Sequence, residues 1–332
     1  MKKIIKNIFA LSLIIMMALT TFIGCGDPKK ITIITPDGAP ALSIAKMMSE
    51  NQNFGEEVTY KVIDSTTITN YVPNNSDIAI IPLNAATKLC GDKYKIVAVN
   101  THGNLFVLGK ETITDMNSLI GKKIAVIQYA NVPGLTFRAV LNGNNIPYTQ
   151  IGEINDTIDS TKANLYGCDP SAVAQLLSSG SVDYALLAEP AVSMLTKNLS
   201  AKGIKVCLDL QTAYKDTFNE EYPQAVTIIK NDLIENNSKF VKKFIQALKE
   251  NDEFLVESNI ETILNAISSH IEEGLTPTLN GKLNANSMAN CNVKYVEAYS
   301  VKEQIKNYVE KIKLIDATKV NSITDDIFYK AK

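Results

Sequence analysis

Tryptophan is absent from the 332 residues, histidine occurs only as His102 and His270, and Arg138 is the single arginine. Without tryptophan a large aromatic cage is not expected. Two histidines leave no material for a His-rich metal site or a multi-His catalytic centre. Five cysteines are present, but none stands in C-x2-C or C-x2-H spacing, so no zinc site is expected. Lys and Arg number 33 against 35 Asp and Glu, a net charge of −2, and no basic block forms a stripe suited to nucleic acid. What the chain does have is apolar material: 45% hydrophobic residues with 20% charged ones. That is enough to bury a sizeable core, in two domains at the usual size of roughly 100–200 residues each.

Lys2, Lys3 and Lys6 precede the apolar run 8–23, a charged region followed by a hydrophobic one as in a secretory signal. The run is short for a membrane span and ends in Phe22-Ile23-Gly24-Cys25. That ending resembles a bacterial lipobox, with Phe22 where leucine is usual. The resemblance implies that 1–24 is removed and that Cys25 carries a diacylglycerol and palmitate-type lipid, with 25–30 as a linker. An uncleaved anchor helix is the other reading. In both, the bulk of the chain lies outside the cytoplasm and is tethered to the membrane. Removing the leader takes three lysines with it and leaves the remainder more acidic, so the lipid, not surface charge, would hold the protein there. Cys90, Cys168, Cys207 and Cys291 remain, too scattered for a disulfide framework, and buried free thiols are expected.

From residue 30 on, β-branched runs alternate with helical patterns. Strands are expected at 31–34, 58–63, 77–81, 95–99, 123–128, 148–151, 182–187, 204–208 and 225–229, and helices at 40–51, 84–89, 133–141, 170–178 and 190–197. A polar connection is expected between 151 and 170. The C-terminal part reads as helical: Ser238 is expected to cap one helix, Asn259 the next, and Ser300 with Glu303 to form a capping box ahead of Ile305, Tyr308, Val309 and Ile312. Alternation of this kind predicts an α/β fold of mainly parallel sheets flanked by helices. The segments 100–109 and 208–224 are the expected crossovers, dividing the chain into one lobe of 31–104 plus 225–332 and a second of 105–224.

The run Gly180-Ser181-Val182-Asp183-Tyr184-Ala185-Leu186-Leu187-Ala188-Glu189-Pro190 resembles a hallmark of the solute-binding lipoproteins of ABC importers for nitrate, sulfonates and thiamine pyrimidine precursors. Tyr184 stands where a small residue is more usual. Leu119 to Val126, Asp77 to Pro82 with Asn84, and Asp325 to Tyr329 are similar to further segments of that family. The resemblance implies a type II periplasmic-binding-protein fold, with a small solute held between two lobes and passed to an ABC permease and its ATPase. No cofactor, metal or catalytic residue is implied, and a monomer is expected. An enzyme on the same fold (thiaminase-like, with Cys168 as the only candidate nucleophile) and a ligand sensor without transport are the alternatives.

Ligands of open α/β sheets sit beyond the carboxyl ends of strands, near helix N-termini, and that rule picks the candidate ligand-binding residues. Gly38 and Ala39 follow the first strand, where they either approach the ligand closely or form an ordinary turn. Ser65 and Thr66 can hold a polar solute or simply cap a helix. Asn84 can offer its amide. Gln128, Tyr129 and Asn131 occupy the most polar strand-to-helix loop, where Tyr129 could stack on a flat ring. Arg138, one turn into the following helix, could pair with a planar anion, or be a surface residue. Glu189, at a helix start, could meet a cationic group or act only on the helix dipole.

Overall fold

A computed structural model describes residues 29–331, so the leader 1–24 and Cys25 lie outside the described residues. In chain order the strands are β1 (Lys30–Pro36), β2 (Glu57–Ile63), β3 (Ile78–Pro82), β4 (Tyr94–His102), β5 (Leu105–Gly109), β6 (Lys123–Ile127), β7 (Tyr148–Ile151), β8 (Ala163–Cys168), β9 (Tyr184–Ala188), β10 (Lys205–Asp209), β11 (Pro223–Lys230) and β12 (Val293–Glu297). They form two six-stranded sheets, ordered β12-β4-β11-β3-β1-β2 and β10-β5-β9-β6-β8-β7. The α/β architecture is the expected one, but both sheets are mixed. β1 pairs in parallel with β2 and β3, and β6 with β8 and β9, through helical crossovers. β11 runs antiparallel between β3 and β4, where the chain re-enters the first sheet from the other one. Among the described residues no helix is long and apolar enough to cross a membrane.

β1 and β3 are central and buried on both faces, which is why Ile31-Thr32-Ile33-Ile34 and Ile78-Ala79-Ile80-Ile81 read as unbroken apolar runs. Three strands arise where the sequence pattern pointed elsewhere. β8 lies within the expected polar connection, and its Asn164 and Gly167 disguise an interior strand. Asn164 is buried and donates to the carbonyls of Asp159 and Lys162. β5 falls inside an expected crossover, and β12 inside the stretch read as helical. The helix Leu210–Phe218, capped by Asp209 through the N–H groups of Gln211 and Thr212, was likewise unmarked.

The helix expected over 40–51 is broken into Ala39–Leu42 and Ala45–Ser49. Asn251, on the long helix Ser238–Glu257, fills the break. Its Oδ1 accepts from the Lys46 N–H (3.0 Å) and its Nδ2 donates to the Leu42 carbonyl (3.0 Å). That long helix buries Phe240, Val241, Phe244 and Leu248 as expected, but its cap is Asn237, which accepts from the Phe240 N–H. Asn259 caps the next helix as expected, accepting from the Thr262 N–H. The capping box at Ser300 does not form. β12 leads into a 3-10 turn (Ala298–Val301), Ser300 donates to the Glu297 carbonyl, and the helix begins at Lys302. Its apolar face, Ile305, Tyr308, Val309 and Ile312, is buried as the spacing predicts, and it packs on the helix Val132–Gly143, which belongs to the other sheet.

The chain passes between sheets twice: through Gly103 and Asn104 between β4 and β5, and through the segment between β10 and β11. Gly103 packs against a ring, since a Cβ there would stand 2.5 Å from Cε1 of the buried Tyr222 and from Oε1 of Gln211. His102, just before it, is 6% exposed, and its Nε2 is buried without a hydrogen-bond partner. It lines a cavity of about 110 Å³ with Glu221, Lys294 and Gln304. Burial first, and the Lys294 charge second, lower its pKa to about 4 from 6.5, against the pull of Glu221. The fold therefore prefers the neutral imidazole. Its contribution to stability is full above the unfolded value and is lost as pH falls from there towards the folded one. Between pH 7 and pH 4.5 this residue should cost about 2 kcal/mol of unfolding free energy. Urea titrations at the two pH values check this: His102→Gln should lose less stability on acidification than the parent, and an unchanged pH dependence would contradict the assignment.

Candidate functional site

A cleft of about 190 Å³ opens where the strand ends of the two sheets face each other. From the first sheet it is lined by Pro36, Asp37, Gly38, Ala39 and Pro40 after β1, Ser65 after β2, Pro82 at the end of β3, and Gln224 and Ala225 at the start of β11. The second sheet supplies Ile127 and Gln128 after β6, and Leu187 to Ala191 after β9. Asn104 comes from the first crossover, and Thr278 and Lys282 from the irregular segment that follows the helix Ile260–Ser268.

Asp37 sits in the turn Thr35-Pro36-Asp37-Gly38, with its backbone N–H bonded to the Ile63 carbonyl (2.8 Å). Gly38 has φ +110°, ψ −159°, a conformation open to glycine, and this turns the chain into the short helix behind it. The Asp37 Oδ2 accepts from the Thr278 N–H (2.7 Å), while Oδ1 is buried with no partner. Burial raises the Asp37 pKa, and the hydrogen bonds from Thr278 and Gly38 and the Lys282 charge offset this only in part. Asn104 is 1% exposed, and neither its amide nitrogen nor its amide oxygen has a partner. The Gln224 Oε1 is likewise buried and unpaired. Buried polar groups in folded proteins are nearly always satisfied, so unpaired ones gathered in one cleft mark a surface built to meet something else.

Glu189 is different. Its carboxylate accepts from the Ser193 N–H (3.0 Å) and Oγ (2.7 Å) and from Asn290 Nδ2 (3.3 Å), a residue on the first-sheet side. It therefore contributes negative charge to the cleft and a hydrogen bond between the two halves. Gln128 adopts φ +45°, uncommon for a residue with a side chain, and its carbonyl accepts from the Asn131 N–H (2.8 Å).

Of the residues singled out in the sequence, the cleft gathers Gly38, Ala39, Ser65, Gln128 and Glu189. The others stand apart from it. Thr66 donates through N–H and Oγ1 to Asp64 (2.7 Å each), closing the turn before a helix. Asn84 is buried on the helix Leu83–Leu89, outside the cleft lining. Asn131 precedes the helix Val132–Gly143 and makes no side-chain cap. Arg138 and Tyr129 belong to the scaffold of the cleft loop. The guanidinium lies 4.3 Å over the Tyr129 ring and donates to the carbonyls of Gly134 (3.2 Å) and Tyr129 (3.1 Å). Arg138 is 7% exposed, not a surface residue, and is not among the residues that line the cleft. Arg138→Leu should therefore cost about 2 kcal/mol of stability, and Arg138→Lys should recover less than half of it, because an ammonium cannot bridge both carbonyls while stacking. Urea denaturation tests this; a Leu variant as stable as the parent would contradict it.

Asp37, Asn104, Gln224, Thr278 and Lys282 carry no sequence signal that marks them for the cleft. Asp37 reads as a turn former, Asn104 and Gln224 lie within or beside expected crossovers, and the last two join the site from more than two hundred residues downstream. The four cysteines, Cys90, Cys168, Cys207 and Cys291, are free thiols. Among the described residues no group of three or more His, Cys, Asp or Glu side chains could hold a metal ion.

Two α/β sheets joined by two crossovers, with a cleft between their strand ends, define a type II periplasmic-binding-protein fold. The chain belongs to the NMT1/THI5-like family, whose profile matches residues 94–259. Three solved structures carry the same fold. An ABC transporter protein from Parabacteroides distasonis is 18% identical with a TM-score of 0.70, over 91% of this chain and 99% of that one. The periplasmic aliphatic sulphonate-binding protein of Escherichia coli is 13% identical with a TM-score of 0.64, over 92% and 94%. The alkanesulfonate-binding protein of Xanthomonas axonopodis pv. citri, bound to MOPS, is 14% identical with a TM-score of 0.60, over 92% and 100%. No curated protein matches the chain.

Proposed function

We propose that the protein is the extracytoplasmic solute-binding component of an ABC importer, closing two lobes (31–104 with 225–332, and 105–224) on a small organic solute and delivering it to a permease and its ATPase. The observation that carries this reading is the set of unpaired buried polar atoms on Asp37, Asn104 and Gln224, in a cleft walled by both sheets. A solute that touches both walls favours the closed arrangement over the open one, which is the physical basis of such a receptor. Cys25, with its lipobox-like flank, would anchor the chain as a monomer on the outer face of the cell membrane. A thiaminase-like enzyme needs an activated nucleophile in the cleft. The candidate nucleophile, Cys168, is absent from the cleft lining, and burial pushes its thiol up to about 11.

A thermal-shift panel of amines, amino-heterocycles, carboxylates and sulfonates tests the proposal. At least one solute should raise the unfolding midpoint progressively with concentration and be recovered chemically intact. A solute recovered cleaved, or a panel with no shift, would contradict the receptor reading.

A further inference from the structure

We propose that the solute is a nitrogenous organic molecule without an anionic group, presenting N–H donors to the unpaired oxygens of Asp37 and Gln224 and meeting the free amide of Asn104. This rests on the receptor reading above and narrows its ligand.

The inventory of unpaired atoms sets the chemistry. Asp37 Oδ1 and Gln224 Oε1 are acceptors, and Asn104 offers one acceptor oxygen and an amide nitrogen with two N–H donors. The complementary ligand is therefore rich in donors. An amine or an amidine-type nitrogen supplies them, and a carboxylate or sulfonate does not. Charge points the same way. Asp37 and Glu189 place two carboxylates on the cleft, and among the described residues Lys282 is the only basic one lining it. Arg138, the one guanidinium of the chain, is buried outside the cleft lining and holds the carbonyls of Gly134 and Tyr129. An anion in this cleft would thus face an unpaired carboxylate oxygen in a desolvated setting, where like-charge contact is costly.

The two carboxylates have separate parts. Glu189 is already bonded by Ser193 and Asn290, so it contributes field more than contact. Asp37 is held through Oδ2 by the Thr278 N–H, which leaves Oδ1 fixed and available. Its raised pKa follows chiefly from desolvation; a donor-bearing or cationic ligand would supply the missing stabilisation of the carboxylate. The walls between these groups, including Ala39, Ile127, Leu187 and Pro190, are apolar and suit a compact ring or short aliphatic body.

The test is calorimetric titration with benzamidinium, benzamide and benzoate, which share a ring and differ in charge and donors. Benzamidinium should bind at least tenfold more tightly than benzoate, with benzamide between them. Asp37→Asn keeps an acceptor for the Thr278 N–H and replaces only the free oxygen. It should unfold as cooperatively as the parent while binding benzamidinium at least tenfold more weakly. Benzoate binding as tightly as benzamidinium, no binding by any of the three, or an Asp37→Asn variant with undiminished benzamidinium affinity would each overturn the proposal. The receptor reading would survive these outcomes if the wider thermal-shift panel yields an intact ligand of another class, and would fall with a panel that yields none.

Discussion

Gly134→Ala should be among the most damaging single-methyl changes in the chain, costing about 3 kcal/mol or more of unfolding free energy. The site is in the first turn of the helix Val132–Gly143, where the loop Gln128–Asn131 folds back over it. A Cβ at Gly134 would lie 2.5 Å from the Tyr129 Cα and 2.6 Å from its carbonyl carbon. These are backbone atoms, so no rotamer change relieves the clash; the loop itself must move. Moving it would break the Arg138 hydrogen bond to the Tyr129 carbonyl and displace Gln128 from the cleft wall. Loss of stability and loss of solute affinity should therefore appear together. Gly152→Ala is the control: its added methyl would meet only Asp156 Oδ2, at 3.7 Å. That variant should stay within about 0.5 kcal/mol of the parent. Urea unfolding of the pair is the check, and equal midpoints would refute the close approach at Gly134.

Tyr308→Ala should cost about 3–5 kcal/mol, and Tyr308→Phe about 1 kcal/mol. Tyr308 is 1% exposed and packs with Tyr214 and Tyr222, at ring separations of 6.2 and 6.4 Å. Its hydroxyl meets Thr136 Oγ1 at 2.7 Å. Thr136 lies on the helix Val132–Gly143, so this cluster joins the C-terminal helix to the half of the molecule that carries Gln128. Truncation to alanine opens a cavity that the surrounding rings cannot fill without shifting; the phenylalanine variant keeps the packing and removes one hydrogen bond. A ratio between the two losses near unity would mean that the hydroxyl pair, not ring packing, holds the helices together.

Much of the architecture was legible because the central strands follow simple rules. β1, β3 and β6 are β-branched runs closed by turn residues, and the apolar faces of Ser238–Glu257 and Lys302–Asp316 recur at helical spacing. β8 escaped notice because an interior strand that hydrogen-bonds its own flanking loop through Asn164 carries polar residues where apolar ones are expected. The site was legible only in part, for a related reason. Residues directly after strands, such as Gly38, Gln128 and Glu189, are found by the rule that ligands sit beyond strand ends. Asn104 and Gln224 lie at the crossovers and reach the cleft only because the chain changes sheets there. Arg138 was the opposite case. Its residue type suggested an anion receptor, but it lies outside the cleft lining, bonded to two backbone carbonyls and stacked on a tyrosine ring.

Native mass spectrometry of the chain, isolated from its own cells without refolding, is the decisive measurement for the receptor reading. The expected result is a one-to-one noncovalent complex that releases, on gentle activation, an intact nitrogenous molecule lacking acidic groups. A covalent adduct on a cysteine, or a released fragment with its cleaved counterpart, would contradict the receptor reading. Release of a sulfonate or carboxylate would contradict the assignment of Asp37 as the group that meets the solute.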